Sequence, residues 1–69
     1  MESYAKTSGS NEFLTRRALY NACIKIRRGC FAEARKQLDL AMLCIRAGGV
    51  TVETEKRVLA VRQELKAAA

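Results

Sequence analysis

Residues 29–41 read Gly29-Cys30-Phe31-Ala32-Glu33-Ala34-Arg35-Lys36-Gln37-Leu38-Asp39-Leu40-Ala41. At about 100° per residue, Phe31, Ala34, Leu38 and Ala41 fall on one stripe of a helix. Gly29 stands just past the end of the preceding helix, where a left-handed residue is needed. Small side chains in the stripe let a neighbouring helix approach, and large ones fill the space between. The stretch therefore predicts a helical hairpin turning at Gly29, inside an all-α fold.

Working outward, helix 1 is expected over residues 12–27, started by Ser10 or Asn11 as cap and by Glu12 against the positive helix end. Helix 2 follows over 31–46 and is rich in strong helix formers. Gly48-Gly49 ends it, and Thr51 caps a third helix running to about residue 66. Glu53 and Arg57 lie one turn apart there and are placed to pair. The polar run Thr7-Ser8-Gly9-Ser10 predicts a flexible arm over residues 1–10, leaving a single helical domain over 11–69. The chain has no proline, so no helix is obliged to kink.

The helix faces carry more apolar surface than one hairpin covers. Helix 1 has one face of Ala18, Leu19, Ala22, Cys23 and Ile26, and a second stripe of Phe13, Tyr20 and Ile24. Helix 2 has a main face that adds Met42 and Ile45 to the Phe31 stripe, and another of Leu40, Leu43, Cys44 and Ala47. Helix 3 has a narrower stripe of Val58, Val61 and Leu65. Helix 3 covers one surplus face, and the other calls for a second subunit or a partner. Phe31, Leu38, Leu40, Met42, Leu43, Ile45, Val58, Val61 and Leu65 are thus expected in helix packing or a dimer contact.

At 69 residues the chain is one domain that buries only about 60% of its unfolded surface. Chains this small usually add a staple. Three cysteines, no histidine and no Cys-x-x-Cys pair argue against a disulfide framework and a zinc site, so no metal or cofactor is expected. A homodimer is the remaining staple. No apolar run approaches the length needed to cross a bilayer, and the cytoplasm is the expected compartment. The net charge is +6. Residues 1–28 hold six Lys/Arg against two Glu, and the segments 29–47 and 48–69 each balance to +1. The basic excess lies on helix 1 and favours an acidic partner.

The spacing Gly29-x-Phe31-x-x-Ala34-x-x-x-Leu38-x-x-Ala41 resembles the second half of a tetratricopeptide repeat, a two-helix unit that binds proteins. The matching window runs from about Thr15 to Gly48, half the chain. Ala18, Asn21, Ala22 and Lys25 stand where that family prefers Trp, Leu, Gly and Tyr. The resemblance implies hairpin geometry and not a peptide groove, because one repeat cannot bury its own face. In size and organisation the chain is also similar to small phage-encoded helical inhibitors of host regulators, including the dimeric anti-quorum-sensing type directed at transcription factors. That likeness implies inhibition through protein–protein contact.

Catalysis has little to draw on. Histidine, the usual acid–base group at neutral pH, is absent. Cys30 near Arg27 and Arg28 reads as a thiol at a helix start, and Cys23 and Cys44 read as packing residues. The sharper site is the Phe13, Tyr20 and Ile24 stripe with Arg16, Arg17 and Arg27 beside it, since aromatic residues flanked by arginines have the composition of interface hot spots. The competing reading places that stripe in the core. The expected function is a non-catalytic module that binds and inhibits or regulates a protein with an acidic or apolar surface. A nucleic-acid-binding regulator using helix 1 is a second reading, and an assembly subunit a third. A helix-turn-helix over Ala41–Val61 fails because Glu55 falls where a buried aliphatic residue is required. A membrane-surface role ranks last, because the apolar residues of helix 1 are split into two stripes.

Overall fold

In the computed structural model the backbone is described from residue 2 to 68 and the side chains from residue 10 to 68. The chain forms three helices, α1 (Glu2–Arg27), α2 (Phe31–Ala47) and α3 (Val52–Ala68), with no strand among the described residues. The all-α expectation and both ends of the hairpin turn hold. One boundary differs. α1 is helical from Glu2 and passes through Ser10 and Asn11, so neither caps it. Nothing in the local backbone chemistry obliges the helix to begin at residue 11, because Ser and Gly weaken a helix without breaking it as proline does. The flexible arm expected over residues 1–10 falls mostly on positions whose side chains lie outside the described ones.

The α1–α2 turn closes as the glycine predicts. Gly29 has φ +79°. The Cys30 amide donates to the Lys25 carbonyl at 2.8 Å, and the Gly29 amide donates to the Ile26 carbonyl at 3.0 Å. These two bonds form a Schellman closure and use carbonyls that a helix end otherwise leaves unpaired. A side chain at residue 29 would have room but would be strained by the left-handed backbone.

α1 and α2 run antiparallel. Lys25 Nζ pairs with Glu33 Oε1 at 2.7 Å beside the turn. At the far end Asn11 Nδ2 donates to the Gly48 carbonyl at 2.8 Å. Between these ties, Ala18 and Ala22 of α1 and Ala34, Leu38 and Ala41 of α2 are buried. Four of the five are alanines, so the two backbones can approach closely. Val58 and Leu65 of α3 complete the cluster, and Leu19, Ile26, Phe31, Met42, Ile45 and Val61 pack around it, half-buried. Phe31, Leu38, Met42, Ile45, Val58, Val61 and Leu65 all belong to this cluster or its margin. Leu40 and Leu43 are exposed and lie outside the core cluster, Leu40 beside α1 and Leu43 beside Arg62 of α3. The expected Glu53–Arg57 pair does not form; the ion pairs among the described residues are Lys25–Glu33 and Arg16–Glu12. Two exposed side chains in water gain little by pairing and lose rotamer freedom.

α3 is fastened by a residue of α1. Thr51 caps it as the sequence predicts, its Oγ1 accepting from the Thr54 amide at 3.2 Å. In a capping box the third helical residue would be Glu or Gln and would reach back to the cap's own amide. That position is Thr54. Glu12 of α1 supplies the missing carboxylate: Oε1 accepts from the Thr51 amide at 2.8 Å, and Oε2 accepts from Thr54 Oγ1 at 2.6 Å. Glu12 therefore does suit a positive helix start, but the start is that of α3. Arg16 Nε donates to the same Oε2 at 2.7 Å. The buried Thr15 hydroxyl, one turn along, donates to the Asn11 carbonyl at 2.6 Å and is satisfied.

Hydrogen bonds from Thr54 and the Thr51 amide, aided by Arg16, hold the Glu12 carboxyl below its ordinary range. A carboxyl depressed on folding stabilises the fold above its unfolded value, about 4.3, and that contribution is lost as pH falls toward its folded value. Urea unfolding followed by circular dichroism should show a midpoint that is flat above about pH 5 and falls in acid. Glu12→Gln should lower the neutral-pH midpoint and flatten the acid fall. In the same assay Leu38→Ala should cost about 2–5 kcal/mol, because it empties the middle of the seam.

Candidate protein-contact surface

The outer face of α1 carries the residues that the sequence singles out. Phe13, Tyr20 and Ile24 stack along the side of α1 opposite Thr15, Ala18 and Ala22, because the helical repeat places them half a turn away from the seam. Phe13 is 60% exposed and Tyr20 67% exposed. Neither α2 nor α3 covers them, so the core reading of this stripe is set aside. Ile24 is half-buried at the stripe's lower end.

The arginines divide. Arg17, Arg27 and Arg28 are exposed and take no part in the ion pairs among the described residues. Arg16 is exposed too, but its guanidinium is engaged by Glu12 at the start of α3. The face therefore offers two aromatic rings beside Arg17 and Arg27, with Arg16 tied to the fold. Lys25 is engaged by Glu33, whose carboxyl that pairing holds below its ordinary range.

A second exposed apolar surface lies between α1 and α2. Leu14, Ala18, Asn21, Gln37 and Leu40 line a shallow groove, with Arg17 at its edge. No α3 residue borders it. Leu40 is 47% exposed, and Leu43, farther along α2, is 61% exposed. The sequence reading anticipates an apolar surplus here on Leu40 and Leu43, but not the part played by Leu14.

The cysteines are free: Cys44 is buried, and Cys23 and Cys30 are half-buried. Cys30 precedes α2 and its carbonyl accepts from the Ala34 amide, but its side chain caps nothing. Among the described residues, no three Cys, Asp or Glu side chains gather as a metal site would require, and no helix is long and apolar enough to cross a membrane.

Two groups escape sequence reasoning. Thr15 and Thr54 are buried and polar, and a search for apolar stripes passes over them. Their positions carry a signal nonetheless: Thr15 is in register with Ala18 and Ala22, and Thr54 with Val58 and Leu65.

No protein-family model, curated protein or solved structure matches the chain.

Because both rings stand in solvent away from the seam, Phe13→Ala and Tyr20→Ala should each leave unfolding stability within about 0.5 kcal/mol of the parent. Urea titration tests this directly; a loss of several kcal/mol would assign the rings to the core.

Proposed function

We propose that this protein is a non-catalytic binding module that inhibits or regulates another protein by covering part of its surface, and that it acts as a homodimer in the cytoplasm. The observation that carries the reading is the exposure of Phe13 and Tyr20 on a helix face edged by Arg17 and Arg27. Large aromatic side chains in small domains are mostly buried. When they stand out among arginines, the composition is that of an interface centre and not of ordinary protein surface. Phe13, Arg17, Tyr20 and Ile24 form the contact, with Arg27 at its edge and Arg16 placed by Glu12. The +6 charge of the chain speeds encounter with an acidic partner.

The absence of histidine supports a non-catalytic role. The dimer rests on Leu14 and Leu40, the exposed leucines that line the groove between α1 and α2. A small chain gains stability by burying such residues against a second copy. The tetratricopeptide-like hairpin and the likeness to phage-encoded inhibitors of quorum-sensing regulators belong to the same reading, and both point to protein contact.

Affinity capture from native-host extract, with mass spectrometry, tests the function. A partner held by the parent protein should be lost from the folded Phe13→Ala/Tyr20→Ala double variant, with affinity lower by about 2 kcal/mol or more. A partner retained equally by both proteins would remove the aromatic face from the site. Light scattering of the same samples should give the dimer mass, and Leu14→Glu/Leu40→Glu should return the monomer mass.

A further inference from the structure

A second surface with distinctive chemistry lies away from the aromatic face of α1, in the trough between α2 and α3. It is a run of three adjoining hollows. Two share Arg35, Asp39 and Leu65, and two share Asp39 and Arg62, so the hollows form one continuous channel. Phe31, Leu38, Met42, Leu43 and Leu65 provide its apolar floor and walls. Arg35, Lys36, Arg46, Arg62 and Lys66 rim it.

The charge is lopsided to a degree that the sequence conceals. Residues 29–69 hold seven cations and five acids. Five of those seven cations line the trough, but Asp39 is the single acid of the five that does so. None of the five cations belongs to an ion pair among the described residues. Like charges are held together here over an apolar floor, and an incoming set of carboxylates would relieve that repulsion.

The shape narrows the occupant. On α2 the lining runs from Phe31 through Arg35, Leu38, Asp39 and Met42 to Arg46, one continuous helical face. Fifteen steps at 1.5 Å make it about 22 Å long. Apolar residues recur along it at the interval of a helix's own apolar stripe. A nucleic-acid backbone would suit the rim but not the floor, and Asp39 would repel its phosphates. A second copy of this chain carries net +6 and would add to the repulsion. We infer that the α2–α3 trough is a docking groove for an acidic amphipathic helix of another protein, which lays its apolar stripe on Phe31, Leu38, Met42 and Leu65 and sets its carboxylates against Arg35, Arg62 and Lys66.

This groove is separate from the aromatic face of α1, and the two are tested independently. The probe is a fluorescein-labelled helical peptide of about 18 residues, long enough to span the trough. It has Leu at i, i+3, i+4 and i+7 spacing and Glu on both flanks. Fluorescence anisotropy should show saturable binding to the full chain that weakens from about 50 to about 300 mM salt. Arg35→Glu/Arg62→Glu should weaken it by at least about tenfold. Arg17→Glu/Arg28→Glu, on α1 and in the turn just after it, should change it by less than about twofold. All four arginines are exposed, so the folds should survive, as circular dichroism checks. If the trough variant loses helicity, Arg35→Gln/Arg62→Gln carries the comparison. The inference is overturned if the peptide fails to bind or if the α1 variant loses as much affinity as the trough variant. It is equally overturned if a peptide with Gln in place of every Leu binds as well, or if a duplex oligonucleotide displaces the peptide at lower concentration than unlabelled peptide does.

Discussion

One carboxylate joins the third helix to the other two. The first turn of α3 exposes backbone amides that need acceptors, and its own sequence puts threonine where a capping glutamate would stand. Glu12 fills that position from another helix, accepting from the Thr51 amide and the Thr54 hydroxyl. Its charge also sits against the positive end of α3, where it is favoured. Arg16 bonds the same carboxylate from the solvent side and orients it. Asn11, a residue earlier on α1, holds the Gly48 carbonyl and so fixes the loop that leads into α3. α1 thereby sets both the path into α3 and its first turn, and the channel between α2 and α3 inherits its form from those contacts.

The alanine-rich seam explains why so much apolar surface faces outward. Ala18, Ala22, Ala34 and Ala41 bring α1 and α2 close without large side chains. Leu38 and Val58 fill most of what space remains. A core this thin has no room for Phe13 and Tyr20 on the far side of α1, or for Leu40 and Leu43, which stand at the edges of the grooves beside α2. Separate surfaces result: an aromatic face with arginines on α1, a leucine-edged groove between α1 and α2, and a cationic trough between α2 and α3. A chain of this length keeps distinct contact regions because its interior needs so few of its large side chains.

Much of the fold is legible in the sequence because it depends on near neighbours. The turn at Gly29 ends α1 through the Gly29 amide bonding a carbonyl three residues back and the Cys30 amide bonding one five back, and Thr51 caps α3 through a bond three residues on. Helical spacing likewise places Leu38, Val58 and Leu65 inward. What escapes depends on contacts far apart in the chain. Glu12 and Thr54 are 42 residues apart, and no local pattern links them. The start of α1 is missed because Ser10, Asn11 and Glu12 have the composition of a cap, while Asn11 and Glu12 serve Gly48 and α3 instead. On the surface, the sequence proposes the Phe13 and Tyr20 stripe but leaves it open between core and contact, since helical spacing says which residues share a face and not whether that face is covered. The cationic trough is invisible to charge counting, because acids on other faces of α2 and α3 cancel the sum.

The way α3 is attached sets how the molecule opens. α1 and α2 are joined by a short turn and a seam of nearby contacts, the kind that form quickly and persist. α3 adds to them through its first-turn latch and through Thr54, Val58 and Leu65 on one side of a single helix. An attachment confined to one side of one helix makes α3 the element expected to open locally, at the cost of uncovering the Leu38 side of the seam. Amide protons of α3 are then expected to exchange with solvent before those of the seam, and the trough exists only while the third helix is seated.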